Sequence, residues 1–157
     1  GDVYKRQHLD TIIVSVGGGG LIGGTASYLR SIWPDIEVIG CSPENSAVMI
    51  HSINAGKVLD MESKPTLSDG TAGGVEMDSI TFPICRDMID ESILVTEDEI
   101  KEAMVMYMQH EHQLIEGAAG TAVATLIKKK EDLKGKNVGV VICGGNISLD
   151  IIRSILH

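Results

Sequence analysis

A run of four consecutive glycines, residues 17–20, is the part of this sequence best suited to bind a ligand. Residues 11–16 before it are uncharged and mostly β-branched, and residues 21–33 after it are rich in apolar side chains, so the pattern predicts a buried strand, a turn and a helix. Glycine backbone can adopt positive φ and approach a ligand closely. Because a helix N-terminus attracts anions, we predict a phosphate-binding loop; the alternative is a tight turn without a ligand.

Three other segments combine glycine with small or polar residues, which is typical of backbone that closely approaches a ligand or another helix: residues 68–74, residues 116–122 and residues 143–146. The histidines do not suggest a metal site. His110 and His112 are two apart on a predicted helix and point to different faces, while His112 and Glu116 lack a third ligand. We therefore predict no metal site.

The elements that position these segments alternate between strand and helix. Apolar runs predict buried strands at residues 38–41 and 138–142 and a further strand at residues 93–95, and helical spacing predicts helices near residues 80–89, 117–130 and 149–156. Ser42 is expected to cap a helix with Pro43 as its first residue and Gly56 as its end. The order predicts an α/β fold: an open, mainly parallel sheet with helices on both faces.

One longer helix is expected after the third strand. Residues 96–99 have the sequence of a capping box, and apolar residues at helical spacing follow it as far as Leu114 and Ile115. We expect its methionines to fill the core.

Composition narrows the class of protein. The net charge of −9 over 157 residues argues against nucleic acid or an anionic membrane as partner. The three cysteines, Cys41, Cys85 and Cys143, have no metal-ligand spacing, and we interpret them as reduced thiols of a cytoplasmic protein. Residues 11–29 are uncharged and long enough to span a membrane. Their glycines and strand-like start argue against a membrane-spanning helix. Residues 1–7 match a translated library adapter, and we interpret them as a processing scar.

Two phosphate ligands compete for the glycine loop. The spacing Gly18-x-Gly20-x-x-Gly23 satisfies the dinucleotide fingerprint, which would indicate an NAD-binding oxidoreductase domain. That fingerprint also needs an acidic residue at the end of the second strand, where this chain has Cys41, Ser42 and Pro43. The NAD hypothesis therefore lacks its most specific element. A non-catalytic domain that senses a phosphate ligand is a third possibility.

Four segments in register resemble a known family. Residues 15–21 (SVGGGGL), 68–70 (SDG), 115–120 (IEGAAG) and 143–146 (CGGN) stand in the order found in threonine/serine dehydratases, which belong with serine racemase to the tryptophan synthase β-like, fold type II enzymes that use pyridoxal phosphate. The resemblance extends from His8 to the end. It implies that residues 8–157 form the cofactor-phosphate-binding large domain of such an enzyme.

The resemblance also implies roles for individual residues. The cofactor phosphate would be bound by the backbone of Gly17, Gly18, Gly19, Gly20 and Leu21. Gly70 would lie near the cofactor ring, and Cys143 would face its pyridine nitrogen. A neutral thiol is a weak donor that would leave this nitrogen unprotonated, which suits β-elimination. The alternative for Cys143 is a small buried residue at a strand end, and Glu116 would border the site without an assigned role.

Two departures from the family pattern stand out. The racemase branch binds a divalent cation through carboxylates after the second strand, where this chain has Ser42 and Val48. The Schiff-base lysine lies upstream of the glycine loop in this family, and Lys5 is the sole lysine before the loop here. We therefore expect a fragment without the catalytic lysine, inactive alone and with an exposed apolar face.

The implied reaction of the whole enzyme is removal of water and then ammonia from a β-hydroxy amino acid, which yields a 2-oxo acid. L-Threonine and L-serine are the expected substrates. A related hydroxy-amino-acid dehydratase or a racemase is the alternative within the family, and the whole enzyme is expected to be a homo-oligomer.

Overall fold

The computed structural model describes residues 7–156; the expectations for residues 1–6 and His157 lie outside the described residues. Within that range the strands are β1 (Thr11–Ser15), β2 (Glu37–Pro43), β3 (Glu91–Val95) and β4 (Val138–Val140). The helices are α1 (Gly20–Ile32), α2 (Val48–Ala55), α3 (Thr81–Met88), α4 (Glu97–Glu111), α5 (Gly117–Lys128) and α6 (Leu149–Leu156), with a 3₁₀ turn at Asp69–Thr71.

The four strands form one parallel sheet in the order β3-β2-β1-β4. Alternate residues of β1 point to opposite faces: Ile12 and Val14 pack with α1–α3, whereas Ile13 packs with Ala122 of α5. Helices thus cover both faces, and the predicted fold class is confirmed. Small residues let α5 pack closely, since a Cβ on Gly120 would lie 2.6 Å from Met104 Cγ of α4.

The edge strand β4 is less buried than the central strand β1. All five residues of β1 are buried, as expected for a strand with a neighbour on each side. The prediction that β4 is a buried strand of five residues was wrong, because β4 has three half-buried residues and pairs with β1 alone among the described strands. Beside it runs an apolar groove of about 540 Å³, lined by residues such as Met106, Tyr107 and Val138. The exposed apolar surface therefore lies beside this edge strand, whereas we expected it on a sheet face that helices leave uncovered.

Two local predictions were wrong, the first because of a tertiary contact and the second because of a local backbone conformation. Ser42 does not cap a helix: its hydroxyl donates to the Val16 carbonyl at 2.8 Å, so Ser42 and Pro43 remain in β2, and α2 begins five residues later at Val48. Helix α4 ends at Glu111, because His112 adopts the left-handed conformation (φ 55°), so Leu114 and Ile115 lie outside it. The capping box of Thr96 and Glu99 is confirmed, as is the end of α2 at Gly56. No helix within residues 7–156 combines the length and apolarity needed to cross a membrane.

Candidate active site

A cavity of about 310 Å³ lies at the carboxyl ends of β1 and β4. The chain runs outward from β1 through β2 to β3 and then returns to place β4 on the other side of β1. Ligands of open α/β sheets bind at such a switch point. The cavity is lined by all seven residues singled out from the sequence, together with others: Ser15, Gly17, Gly18, Gly19, Gly20, Leu21, Ile22, Gly70, Thr71, Glu116, Ala118 and Cys143.

The glycine loop, residues 17–20, has a conformation that favours glycine at Gly19 and leaves little room for a side chain at Gly17. Gly19 has φ 86°, and a Cβ there would lie 2.5 Å from Cys85 Sγ. A Cβ on Gly17 would lie 3.0 Å from Thr71 Cα. Real Cβ atoms do not approach other atoms so closely without displacement, so a side chain at Gly19 would displace the loop.

The N–H groups of this loop are available to a ligand. Helix α1 begins at Gly20. The Gly19 carbonyl, which belongs to the loop, accepts a hydrogen bond from the Gly23 N–H of the helix at 2.9 Å. Among the described residues, no backbone acceptor is bonded to the N–H groups of residues 18–21. Such groups at a helix N-terminus, with the positive end of the dipole, form an anion site.

Cys143 also lines the cavity. Its side chain is exposed, and its Sγ lies 3.7 Å from the Ser15 hydroxyl oxygen, which is within hydrogen-bond distance for sulfur. The alternative of a small buried residue is wrong for Cys143. Cys41 and Cys85 are buried instead, and burial raises the pKa of Cys41 to about 12 and that of Cys85 to about 11.

Glu116 connects the cysteine loop, residues 143–146, to the rest of the cavity. It is the N-cap residue of α5, and its N–H donates to the Gly144 carbonyl at 3.1 Å. Its Oε2 accepts from the Asn146 N–H at 3.3 Å. A Cβ on Gly144 would lie 2.3 Å from the same oxygen. The Glu116 carboxylate thus occupies the space that a side chain at residue 144 would need.

Gly70 lies in the 3₁₀ turn that closes a third side. The turn is held by hydroxyl bonds, with Ser68 Oγ and Thr71 Oγ1 at 2.6 Å and Thr71 Oγ1 donating to the Ser68 carbonyl at 3.0 Å. A Cβ on Gly70 would lie 3.4 Å from Glu116 Oε1. The turn therefore brings backbone, rather than side chains, against the cavity.

Sequence reasoning missed several neighbours of the site. Ser15 and Thr71 lie within segments that it selected, residues 15–21 and 68–74, but neither was assigned a role. Thr81 and Cys85 of α3 contact the glycine loop from more than 60 residues away in sequence, and no local pattern marks them.

Metal and dinucleotide sites find little support here. No group of three His, Cys, Asp or Glu side chains among residues 7–156 is arranged to hold a metal ion. At the end of β2, Ser42 is buried and bonded to Val16, and Glu44 lies in the exposed turn beyond Pro43. An acid is therefore missing from the position where a ribose would be bound.

Comparison with known proteins agrees with this geometry. The family model described as pyridoxal-phosphate dependent enzyme matches residues 3–144. The chain is 38% identical over 149 residues to L-threonine ammonia-lyase of Thermotoga maritima, which covers 95% of this chain and 37% of that protein. It is 36% identical over 156 residues to L-threonine dehydratase catabolic TdcB of Escherichia coli, covering 98% of this chain and 46% of the relative.

A solved structure, serine racemase from Dictyostelium discoideum, superposes with a TM-score of 0.82 at 37% identity, covering 93% of this chain and 47% of that one. The chain thus spans less than half the length of each of these three proteins. Since the family model extends over most of its residues, the chain belongs to the pyridoxal-phosphate-dependent enzymes.

Proposed function

We propose that the chain is the cofactor-phosphate-binding part of an ammonia-lyase that converts L-threonine or L-serine to a 2-oxo acid and ammonia. The observation that supports this most is the convergence of the glycine loop, Gly70 and Cys143 on one cavity at the switch point of the sheet. The names of the relatives, L-threonine ammonia-lyase and L-threonine dehydratase, support the choice of reaction.

The residues present fit pyridoxal phosphate. A Cβ on Gly18 or Gly20, which both line the cavity, would meet nothing within 4 Å, so the loop leaves open space there, and the N–H groups of residues 18–21 are available for the phosphate. The cavity lining also includes Cys143, whose thiol is a weak hydrogen-bond donor suited to a pyridine nitrogen. When bound, the cofactor supplies an electron sink for loss of the α-proton and the β-hydroxyl.

This chain's own residues would bind the cofactor and orient it. The backbone of residues 17–21 would hold the dianionic phosphate at the positive end of α1. Cys143 would accept the ring nitrogen as a neighbour without protonating it, which would limit delocalisation of charge into the ring and favour elimination. Gly70 would lie near the ring, and residues 8–157 would form the large cofactor domain. The lysine that removes the α-proton would come from outside residues 8–157.

The proposal includes the setting of the whole enzyme. Buried reduced thiols and the net charge of −9 support a cytoplasmic protein with no nucleic-acid partner. The exposed apolar groove beside β4 supports the proposal that other protein surface covers this edge of the sheet in the complete protein. We expect the complete protein to be a homo-oligomer active in amino-acid metabolism.

The test is an assay of the protein expressed from its full coding sequence, with L-threonine and L-serine as substrates. We expect a 2-oxo acid and ammonia in equal amounts, together with an absorbance band near the visible edge that NAD-binding proteins lack. The chain of 157 residues with added pyridoxal phosphate is the control, and it should release no 2-oxo acid. Inversion of L-serine without ammonia would overturn the lyase in favour of a racemase, and turnover by the isolated chain would overturn the fragment.

A further inference from the structure

Helix α3 contacts the glycine loop on the side away from the cavity. Thr81 Oγ1 donates a short hydrogen bond to the Gly18 carbonyl, and Cys85 Sγ donates to the Gly19 carbonyl at 3.6 Å. None of the cavity-lining residues comes from α3. The helix therefore contacts the loop without contacting what the loop binds.

Peptide planarity links these two contacts to the cavity. In a trans peptide unit the C=O and the N–H of the next residue point in opposite directions. Because the Gly18 carbonyl points to Thr81, the N–H of Gly19 points away from α3. The Gly19 carbonyl accepts from both Cys85 Sγ and the Gly23 N–H, and by the same geometry the N–H of Gly20 points away from these donors. Both N–H groups belong to residues that line the cavity.

The donors in α3 are themselves held in place. A carbonyl can only accept, so Thr81 must donate its hydroxyl proton to Gly18. Ser79 Oγ lies 2.7 Å from Thr81 Oγ1, and it must therefore be the donor in that pair. Cys85 is buried, and burial raises the pKa of its thiol to about 11, so its S–H remains a donor at neutral pH.

We propose that Thr81 and Cys85 are positioning residues, which orient the peptide units between residues 18 and 20 so that their N–H groups meet the cofactor phosphate. This role rests on the proposed function. Without the Thr81 hydroxyl, the Gly18 carbonyl loses its donor, and the peptide unit is free to rotate. Glycine residues on both sides offer little resistance to such a rotation. The expected loss is therefore confined to ligands that have a phosphate.

The experiment compares two ligands, pyridoxal phosphate and pyridoxal, on the protein expressed from its full coding sequence. Dissociation constants are measured by absorbance for the parent protein and for Thr81→Val, which keeps the shape but removes the hydroxyl. We expect Thr81→Val to weaken pyridoxal phosphate by about three- to tenfold, the effect of one hydrogen bond, and to leave pyridoxal unchanged. Thr81→Ser should restore the affinity, and Ser79→Ala should show a smaller loss of the same kind.

The matched control is Thr25→Val, a half-buried threonine of α1 that does not line the cavity. It should change neither dissociation constant. Equal weakening of both ligands by Thr81→Val, or full retention of the phosphate preference, would overturn the positioning role while leaving the proposed function standing. If the parent protein itself binds the two ligands equally, the phosphate loop of the proposed function fails instead. If Thr81→Val does not fold, Ser79→Ala becomes the test of the positioning role. An unchanged dissociation constant of pyridoxal phosphate in Ser79→Ala would then overturn the proposal.

Discussion

The glycine loop and the cysteine loop both line the cavity, but they are held in place by different means. The glycine loop follows β1, a central strand buried along its whole length, and it packs on Cys85, Met49 and Thr81. The cysteine loop follows β4, a half-buried strand at the edge of the sheet within the described residues, and Cys143 is exposed. The hydrophobic core thus determines the conformation of the first loop.

The second loop is held by a few polar contacts instead, two of them with Glu116. Glu116 accepts from the Asn146 N–H through its side chain and donates to Gly144 through its backbone. A loop at a sheet edge has few buried neighbours, so a few polar contacts carry more of its order than they would in the core. The difference between the loops should appear when each is perturbed separately.

The largest effect is expected for Gly19→Val. A β-branched residue at φ 86°, with its Cβ 2.5 Å from Cys85 Sγ, adds backbone strain to overpacking. Together these should lower the free energy of unfolding by about 2–6 kcal/mol and abolish cofactor retention. Urea unfolding measures the first effect, and absorbance after gel filtration with pyridoxal phosphate measures the second.

The matched control for stability is Gly18→Ala, because a Cβ there has nothing within 4 Å and φ is not positive. Its free energy of unfolding should stay within about 0.5 kcal/mol of the parent value. If the two variants unfold at the same urea concentration, the core does not hold the glycine loop in the way described.

A smaller effect is expected for Gly144→Ala in the cysteine loop. The new methyl group would collide with Glu116 Oε2, but an exposed loop can move, so we expect a loss of about 1–2 kcal/mol. In a Glu116→Ala background the same substitution should cost less, with a coupling energy of at least about 0.5 kcal/mol. Urea unfolding of the four proteins gives this cycle, and strictly additive losses would contradict the role of Glu116.

The sequence was informative where local pattern and burial agree. The strand, the glycines and the helix of residues 11–33 were predicted, because an uncharged β-branched run before glycines permits few other structures. Gly70 and Cys143 were selected through the family resemblance, and both line the cavity. Their roles in binding the cofactor stay predictions.

The sequence was uninformative where a contact with a residue distant in sequence determines the local structure. Ser42 has the sequence context of a helix cap, yet the Val16 carbonyl accepts its hydroxyl bond and keeps it in β2. The contacts of Thr81 and Cys85 with the glycine loop exist only after α3 has packed on α1. The edge position of β4 likewise depends on which strands are present beside it, which no local pattern states.

An effect on the cofactor alone is expected at Cys143. In the protein expressed from its full coding sequence, Cys143→Asp places a carboxylate by the ring nitrogen, which would favour protonation of the ring. We expect a shift of the cofactor absorbance band and of its pH dependence, whereas Cys143→Ser should change both little. An unaltered spectrum in Cys143→Asp would mean that Cys143 does not face the ring.

The smallest perturbation is chemical modification of thiols in the unaltered chain. Of the three cysteines, Cys143 alone is exposed, so a thiol reagent at pH 8 should modify one equivalent in the folded chain and three after unfolding.

Burial raises the pKa of Cys41 to about 12 and of Cys85 to about 11, from an ordinary value of 9.0. As the pH rises above 9.0, the unfolded state releases these two protons while the folded state retains them, so the free energy of unfolding falls with pH. The count of one should hold below that pH and rise above it as unfolding becomes easier, and two or more fast equivalents at pH 8 would contradict the packing of Cys85 beneath the glycine loop.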